Sequence, residues 1–372
     1  MMKRYLNFTL IALSLGVLTA CSGAKTSTNE TKNETTTVAN ESKAETETKK
    51  AAESETKAAE SANSNENTAS YPMVIKHAYG ETKVEKKPER IVTIAWENND
   101  TPLALGIAPV GVSAANFGKV TDNRLHAWAD EAFKKLGVDK PNVFDDTAGL
   151  NFEEIGDAKP DIILASYSGI SQEEYDTLSQ IAPVIPYKEK PWQTLWRAQT
   201  IENATPLGLE KEAKKLVEDT EKLIKEKVDA RPEIAGKTAA FVMISPEDLS
   251  KFFLYLPTDP RSAYLQDLGL SVPESVSKLA KENTEFYTTI SRENSDMLKD
   301  VDILVTYGTS EQLAALQADE ILSSIPAIKN GAVVFMDSTS DLAGGGTPSI
   351  LSIPYNIDTY LDLISEAAKK VK

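Results

Sequence analysis

The sequence predicts an α/β protein of two lobes, with mainly parallel sheets covered by helices and one long rigid helix joining the lobes. Three observations predict this fold. The segment 71–372 has more residues than one hydrophobic core usually organises. Short apolar runs alternate with amphipathic stretches between residues 90 and 336, which favours parallel strands covered on both faces. Residues 209–228 carry an uninterrupted helical periodicity.

The N-terminus has the layout of a lipoprotein signal peptide, predicted at residues 1–20. Lys3 and Arg4 precede a short apolar run at 8–17, and small residues lead to Cys21. The run is shorter than the roughly 20 residues that span a bilayer. Cys21 is the only cysteine and has no disulfide partner in the chain, so cleavage before it leaves a thiol for lipidation. The alternative is an ordinary signal peptide with an incidental cysteine.

A polar tether is predicted to follow, so that residues 21–70 comprise the lipidated cysteine and a disordered spacer. Residues 22–70 are almost wholly Ser, Thr, Asn, Glu, Lys and Ala, without an aromatic residue. Such a composition buries too little apolar surface to offset the entropy of ordering. A partly helical stalk at 41–60 is the alternative. We therefore expect an extracytoplasmic domain that is lipid-anchored to the cell membrane.

The N-terminal lobe is expected to span residues 71–205. Apolar runs predict strands at 90–96, 109–114, 161–166 and 184–187. The stretches between them predict helices at 101–105, 124–136, 151–158, near 172–180 and from about 191. A helix between successive strands lets them run parallel.

The helix that joins the lobes is predicted at residues 206–231. Its apolar residues share one face and Lys and Glu fill the other. A helix of about 20 residues is roughly 30 Å long, the width of a small domain. The C-terminal lobe is then expected at 232–372, where the alternation resumes at 238–244, 263–268, 302–306, 321–325 and 333–336.

Charge and missing motifs narrow the function. The formal net charge of −16 argues against a nucleic-acid partner. Phosphate loops, nucleophile elbows, dinucleotide fingerprints and zinc-protease motifs are missing from the sequence. His77 and His126 are the only histidines, too few for a multi-histidine metal site. We therefore expect a protein that is not an enzyme, with no metal or cofactor of its own.

An acidic residue opens a short helix ahead of a buried strand in both lobes. Glu153 precedes the run 161–164, and Glu293 precedes 302–305. An acid in a first helical turn suits the helix dipole, so a purely local role is the alternative to a functional one.

Several short segments together resemble ferric-siderophore-binding proteins of ATP-driven importers. The order and spacing of these segments carry the resemblance, which covers 71–372: 77–82 (HAYGET), 87–92 (KPERIV), 105–111 (LGIAPVG), 159–161 (KPD), 181–183 (IAP) and 265–269 (LQDLG). The resemblance implies a class III solute-binding fold, with ligand held in the cleft between two lobes bridged by one helix. It also implies that Glu153 and Glu293 dock onto the membrane permease.

The ligand site is expected beyond the carboxyl ends of the strands, where open α/β sheets bind ligands. Aromatic rings there supply apolar walls, and Arg and Tyr groups bond ligand oxygens. For each candidate, core packing or a surface ion pair is the alternative role. Trp192 and Trp196 are interpreted as a packed helix face, with a pair of rings that stack on ligand as the alternative. The candidate ligand-binding residues are Trp96, Arg124, Tyr167, Tyr187, Arg197, Tyr255, Arg261, Tyr287, Tyr307 and Asp341.

The favoured function is a monomeric lipoprotein that captures a ferric siderophore and delivers it to an importer for iron uptake. The chelating group of the siderophore stays open at this point. One alternative keeps the fold but binds haem or a corrinoid, with His126 or a pocket tyrosine as axial ligand. The other is a secreted α/β enzyme whose catalytic residues come from distant segments and leave no local motif.

Overall fold

The computed structural model describes residues 69–372 except Thr147 and Pro246. The predicted signal peptide, the lipidation site Cys21 and almost all of the tether lie outside the described residues. Within the described ranges, no helix combines the length and the apolarity needed to cross a bilayer.

The N-terminal lobe is built on a five-stranded parallel sheet with the strand order β5-β4-β3-β6-β7. Its central strands are fully buried apolar runs, as expected for a sheet covered on both faces. The hairpin β1–β2 precedes the sheet and packs on one of its faces. The strands are β1 (Met73–His77), β2 (Gly80–Val84), β3 (Ile91–Thr93), β4 (Gly111–Ser113), β5 (Val143–Phe144), β6 (Ile162–Ala165) and β7 (Val184–Pro186).

Short helices connect these strands, and their caps are visible in the sequence. The Ser171 side chain and Glu174 form a reciprocal capping box at the start of α4. Asn151 accepts the backbone N–H of Glu154 at the start of α3. The helices are α1 (Asp100–Ala104), α2 (Ala127–Lys135), α3 (Phe152–Asp157) and α4 (Gln172–Leu178).

The connection between the lobes is helical except at Gly208 and Leu209. It consists of α5 (Trp196–Ala204), a 3₁₀ turn (Thr205–Leu207) and α6 (Glu210–Asp229). Leu207 and Leu209, next to the start of α6, pack with the N-terminal core, whereas Val217 and Ile224 belong to the C-terminal core. The long helix predicted at 209–228 is therefore present and contacts both lobes.

The C-terminal lobe contains a second five-stranded sheet, ordered β10-β9-β8-β11-β12. β8, β11 and β12 are parallel, but β9 pairs antiparallel with both β8 and β10, which makes this sheet mixed. The strands are β8 (Ala239–Ser245), β9 (Asp248–Tyr255), β10 (Tyr287–Ser291), β11 (Ile303–Tyr307) and β12 (Val333–Met336).

Helices cover both faces of this second sheet. They include α12, which packs against α6, β11 and β12. The helices are α7 (Pro260–Asp267), α8 (Glu274–Glu282), α9 (Gln312–Ala318), α10 (Pro326–Asn330), α11 (Asp341–Gly344) and α12 (Ser352–Ala368). The predicted class, two α/β lobes joined by a long helix, is confirmed by this architecture and by the comparisons reported below.

Candidate ligand-binding site between the lobes

A cavity lies between the lobes, beyond the carboxyl ends of β3, β4 and β11. The N-terminal lobe lines it with residues 95–97, 99–100, 113–117, 125–126 and 129. The C-terminal lobe contributes Tyr307, Ala343, Gly344 and Thr347. Its free volume is about 30 Å³, which is room for one or two water molecules. The position matches the strand-end site that the sequence predicts.

Direct contacts between the lobes keep this cavity small. The Lys119 backbone N–H donates to the Ser340 carbonyl oxygen at 3.1 Å, and Lys119 Nζ lies 3.1 Å from Asp341 Oδ2. Gly118 faces Gly344 so closely that a Cβ on Gly118 would overlap the Gly344 backbone. A Cβ on Gly344 would overlap the His126 ring of the other lobe, so both glycines are required for this approach.

A second set of contacts joins the loop after β7 to the C-terminal lobe. Lys190 Nζ and Gln193 Nε2 donate to the Thr284 carbonyl oxygen at 3.0 Å and 3.1 Å. A larger cavity of about 610 Å³ opens beside this loop. A lysine and an amide side chain therefore bridge the lobes at this loop by donating to one carbonyl oxygen.

Trp96 is held by an unusual backbone. Its neighbours Ala95 and Glu97 have φ angles of 61° and 54°, in the left-handed region that side chains other than glycine rarely adopt. Trp192 has the same feature, with φ at 60°, and its ring centroid lies 6.0 Å from that of Trp96. Strained backbone of this kind concentrates at functional sites. The Trp96–Trp192 pair is therefore a strong candidate for a ligand wall.

Tyr167 packs against the Trp192 ring of this tryptophan pair. Its ring meets Trp192 edge-on with centroids 5.4 Å apart, and burial raises the pKa of its hydroxyl far above the usual range. Gly169 lies against the Trp192 indole, and a Cβ there would overlap the ring. Tyr167 thus stays neutral and positions Trp192.

Arg261 is a buried cation that is already neutralised. Its Nε and Nη2 donate to the two carboxylate oxygens of Asp259 at 2.8 Å and 2.7 Å, and Asp259 also caps α7. The guanidinium carbon lies 4.0 Å from the centroid of the Tyr255 ring. Arg261 retains donors for a ligand, but the Arg261–Asp259 pair has no net charge.

The C-terminal lobe adds an aromatic wall. The Tyr287 and Tyr255 centroids are 6.4 Å apart, and Tyr287 is 38% exposed. Tyr307 meets Phe117 of the other lobe edge-on at 4.9 Å. Burial raises the pKa of Tyr307 to about 12, so its hydroxyl is a hydrogen-bond donor at neutral pH.

Two acids are buried at the base of the cavity. Asp100 accepts from the Trp128 indole N–H at 2.9 Å and from the Ser349 hydroxyl of the other lobe. Burial raises the pKa of Asp100 to about 7, although both of these hydrogen bonds oppose the rise. Glu97 lies 3.7 Å from His126 Nε2. This end of the cavity is polar and titratable near neutral pH.

The structure brings together about half of the predicted ligand residues. Trp96 and Tyr307 line the cavity, and Tyr167 and Tyr255 pack behind its walls through Trp192 and Arg261. Tyr287 continues the aromatic wall towards solvent.

The other predicted ligand residues have partners elsewhere. Tyr187 lies in the N-terminal core, with its hydroxyl 2.5 Å from that of Tyr79. Arg124 is exposed beside Asp145. Arg197 forms ion pairs with Asp267 and Glu221. Asp341 forms the ion pair with Lys119 that was described above.

Trp192 and Trp196, interpreted from the sequence as one helix face, have separate environments. Trp196 begins α5 and is buried in the C-terminal core, donating to Asp267 at 2.9 Å. Trp192 precedes the helix and faces Trp96. The interpretation was therefore wrong for Trp192, because α5 starts at Trp196 rather than near residue 191. The left-handed backbone conformation of Trp192 cannot be recognised from the sequence.

No cluster of three potential metal-ligating side chains occurs in the described ranges. His126, one of the two kinds of axial ligand that the haem alternative offers, stacks on Trp128 with centroids 4.5 Å apart and faces Glu97. Burial also lowers the pKa of His126. Its ring is therefore packed on one face and neutral at pH 7.

The two acids that open corresponding helices are both exposed. Glu153 lies in the first turn of α3, ahead of β6. Glu293 lies in the first turn of a 3₁₀ helix (Arg292–Leu298) ahead of β11. Both side chains are available at the surface.

Comparison with known proteins identifies the class. The chain belongs to the periplasmic binding protein family, whose model matches residues 91–339. It is 48% identical to PiaA of Streptococcus pneumoniae TIGR4, whose crystal structure in complex with ferrichrome matches with a TM-score of 0.78, covering 80% of this chain and 99% of that chain.

Two Bacillus subtilis (strain 168) proteins are also similar. The chain is 29% identical to the putative ABC transporter substrate-binding lipoprotein YhfQ over 294 residues, or 74% of this chain and 84% of that protein. It is 26% identical to the probable siderophore-binding lipoprotein YfiY over 318 residues, or 80% and 90% of the two chains. The family predicted from the segments between 77 and 269 is confirmed, and its members compared here are binding proteins.

Proposed function

We propose that this protein is the lipoprotein of an ATP-driven importer that captures a ferric siderophore between its lobes for iron uptake. The cargo class that fits best is a neutral ferric trihydroxamate of the ferrichrome type. The relative PiaA, 48% identical to this chain, was crystallised with ferrichrome. The proposed binding residues are Trp96, Trp192, Tyr255, Arg261, Tyr287 and Tyr307.

The single observation that carries the cargo class is the Arg261–Asp259 pair. A tris-catecholate ferric complex is strongly anionic and needs several convergent cations, whereas a ferric trihydroxamate is neutral. Arg261 is neutralised by Asp259, and the predicted cations Arg124 and Arg197 lie in ion pairs of their own. Aromatic walls with one neutralised arginine suit a neutral chelate.

Three further assignments belong to this proposal. Lipidation at Cys21 anchors a protein with a lobe at 71–205, a connecting helix at 206–231 and a lobe at 232–372. Glu153 and Glu293 dock onto the permease, because two exposed acids give an oriented, salt-sensitive contact. The protein is a monomeric, extracytoplasmic binding protein with no catalytic residues.

Tryptophan-fluorescence quenching tests the proposal directly. The purified protein is titrated with ferrichrome and with a ferric tris-catecholate, and ferrichrome is expected to bind more tightly. Trp96→Ala and Tyr287→Ala each remove an aromatic contact and are expected to weaken ferrichrome binding about 10-fold or more. Tyr355→Ala, a tyrosine of similar exposure outside the cavity, is the matched control and should bind as the unmodified protein does.

Each outcome has a clear meaning. Tighter binding of the tris-catecholate contradicts the neutral cargo class but leaves the iron-chelate function standing. Equal affinity of the Trp96, Tyr287 and Tyr355 variants removes the aromatic wall from the site. Absence of quenching by every ferric chelate contradicts the function itself.

A further inference from the structure

Glu97 is a buried acid with an unused oxygen at the interlobe cavity. It lines the cavity and is 6% exposed. Oε1 lies 3.7 Å from His126 Nε2, and Oε2 has no hydrogen-bond partner among the residues that the structure describes. A buried polar atom without a partner costs about 1–3 kcal/mol. Such an atom calls for an explanation, and a cargo group is one.

The backbone of Glu97 points to the same explanation. Its φ of 54° lies in the left-handed region, which is unfavourable for a side chain of this kind by about 1 kcal/mol or more. The unpaired Oε2 and the left-handed backbone therefore both cost free energy at the same residue on the cavity wall.

Burial and a neighbouring acid both favour the protonated form of the Glu97 carboxyl. Burial raises the pKa of Glu97 well above its usual range, the Asp100 carboxyl raises it further, and the Arg261 guanidinium opposes both. Burial lowers the pKa of the adjacent His126, so the two side chains meet as a neutral acid and a neutral imidazole. Charges from both lobes act on this pair: Asp100 and Arg261 on Glu97, and Asp341 on His126. His126 Nδ1 also lies within hydrogen-bond distance of the Lys119 carbonyl oxygen, and the neutral Tyr167 hydroxyl lies near Glu97.

We propose that Glu97 is a specificity-determining residue that donates a hydrogen bond from its carboxylic O–H to a carbonyl or hydroxamate oxygen of the cargo. This inference rests on the proposed function and names one of the contacts that selects the cargo. A ferric trihydroxamate offers oxygen acceptors close to the iron. A neutral donor binds them without adding charge to the cavity, whereas an ionised carboxylate repels them.

A pH series of ferrichrome titrations tests the donor role. The O–H donor exists only below the pKa of Glu97, so affinity should be constant at low pH and fall up to 10-fold per pH unit above that pKa. Glu97→Gln keeps an N–H donor and cannot ionise. Its affinity should be within about 3-fold of the unmodified protein at pH 6 and should not fall at pH 9.

Glu97→Ala removes the donor. It should bind ferrichrome about 10-fold more weakly at pH 6, again without a fall at higher pH. Glu202→Gln is the matched control, because Glu202 is also an interior acid whose Oε2 has no partner among the described residues, yet it does not line this cavity. It should keep the affinity and the pH profile of the unmodified protein. Circular dichroism of each variant verifies folding.

Several results overturn the inference. It fails if Glu97→Ala binds ferrichrome as tightly as the unmodified protein at pH 6, or if Glu97→Gln binds as weakly as Glu97→Ala. It also fails if Glu97→Gln retains the pH dependence. In these cases ferrichrome still binds and the proposed function stands, whereas loss of binding by the unmodified protein itself overturns both.

Discussion

Individual side chains set the charge of the interlobe cavity. Asp259 neutralises Arg261. Burial raises the pKa values of the cavity acids Glu97 and Asp100. The effect of burial on the pKa is easiest to measure for Asp100. Asp100 is fully buried and connects Trp128 of one lobe to Ser349 of the other.

Asp100 should make the protein less stable as pH rises. Burial raises its pKa from 3.8 to about 7, so between these values the folded state holds a proton that the unfolded chain has released. Stability therefore falls through this window by about 1.4 kcal/mol per pH unit. Asp100→Asn has no proton to lose, and its melting temperature relative to the unmodified protein should rise by roughly 5 °C between pH 5 and pH 8.

Thermal unfolding at pH 5, 6.5 and 8 measures this effect. Asp337→Asn is a suitable control, because hydrogen bonds from the Thr339 backbone and hydroxyl lower the pKa of Asp337 and its titration ends below this range. Its melting curve should stay parallel to that of the unmodified protein. A constant difference between Asp100→Asn and the unmodified protein would show that Asp100 is ionised throughout.

At the scale of the element, α6 is the main structural determinant. Its buried face consists of Ala213, Val217, Thr220 and Ile224, and the opposite face is charged. This face agrees with the apolar periodicity of the sequence. Ion pairs four residues apart, such as Lys214–Glu210 and Lys225–Asp229, lie on its exposed surface and add only tenths of a kcal/mol each.

Ile224→Ala should destabilise the whole protein. Ile224 is 4% exposed and belongs to the C-terminal core, so its truncation should lower the free energy of unfolding by about 2–4 kcal/mol. Urea denaturation measures the change. Lys222→Ala on the exposed side of the same helix is the control and should stay within about 0.5 kcal/mol. Equal values for both would mean that α6 does not rely on this core contact.

The elements predicted correctly are those whose pattern is local. β3, β6, β8 and β11 are buried apolar runs, and α6 has a long regular periodicity. The antiparallel pair β9–β10 was missed, because β9 is exposed along its first half and reads as polar. β5 has two residues and no pattern of its own.

The site was predictable only where position along a strand sufficed. Tyr307 is the last residue of β11 and Trp96 lies three residues beyond β3, and both line the cavity. Tyr187 also follows a strand, but its hydroxyl is used by Tyr79 in the core, which depends on the hairpin β1–β2. The approach of Trp192 to Trp96 requires the left-handed backbone of three residues, so the sequence alone did not reveal it.

For the whole molecule, the relevant residues are the exposed acids Glu153 and Glu293. Both acids open a short helix ahead of a buried parallel strand, one in each lobe. Neither contributes to the cavity between the lobes. Changes at these positions should therefore separate cargo binding from transport.

The double variant Glu153→Ala with Glu293→Ala should bind ferrichrome normally but slow its uptake. Loss of two charge contacts is expected to reduce uptake of iron-55 ferrichrome by cells about 10-fold, with a smaller effect at high salt, where screening already weakens these contacts in the unmodified protein. The matched control replaces Glu154 and Glu320, exposed acids of the same two lobes, by alanine. Uptake by the Glu153/Glu293 variant equal to that of the control would remove these two residues from the permease contact.

The approach of Gly118 to Gly344 has a kinetic consequence. A siderophore is far larger than the free volume of about 30 Å³ between the lobes, so this contact and the Lys119 bridge must break before cargo enters. Loading then includes a first-order opening step that precedes encounter. At high siderophore concentration the observed rate of capture should level off at the rate of that opening step. Where iron is scarce outside the cell, siderophore concentrations stay low and capture does not reach this limiting rate.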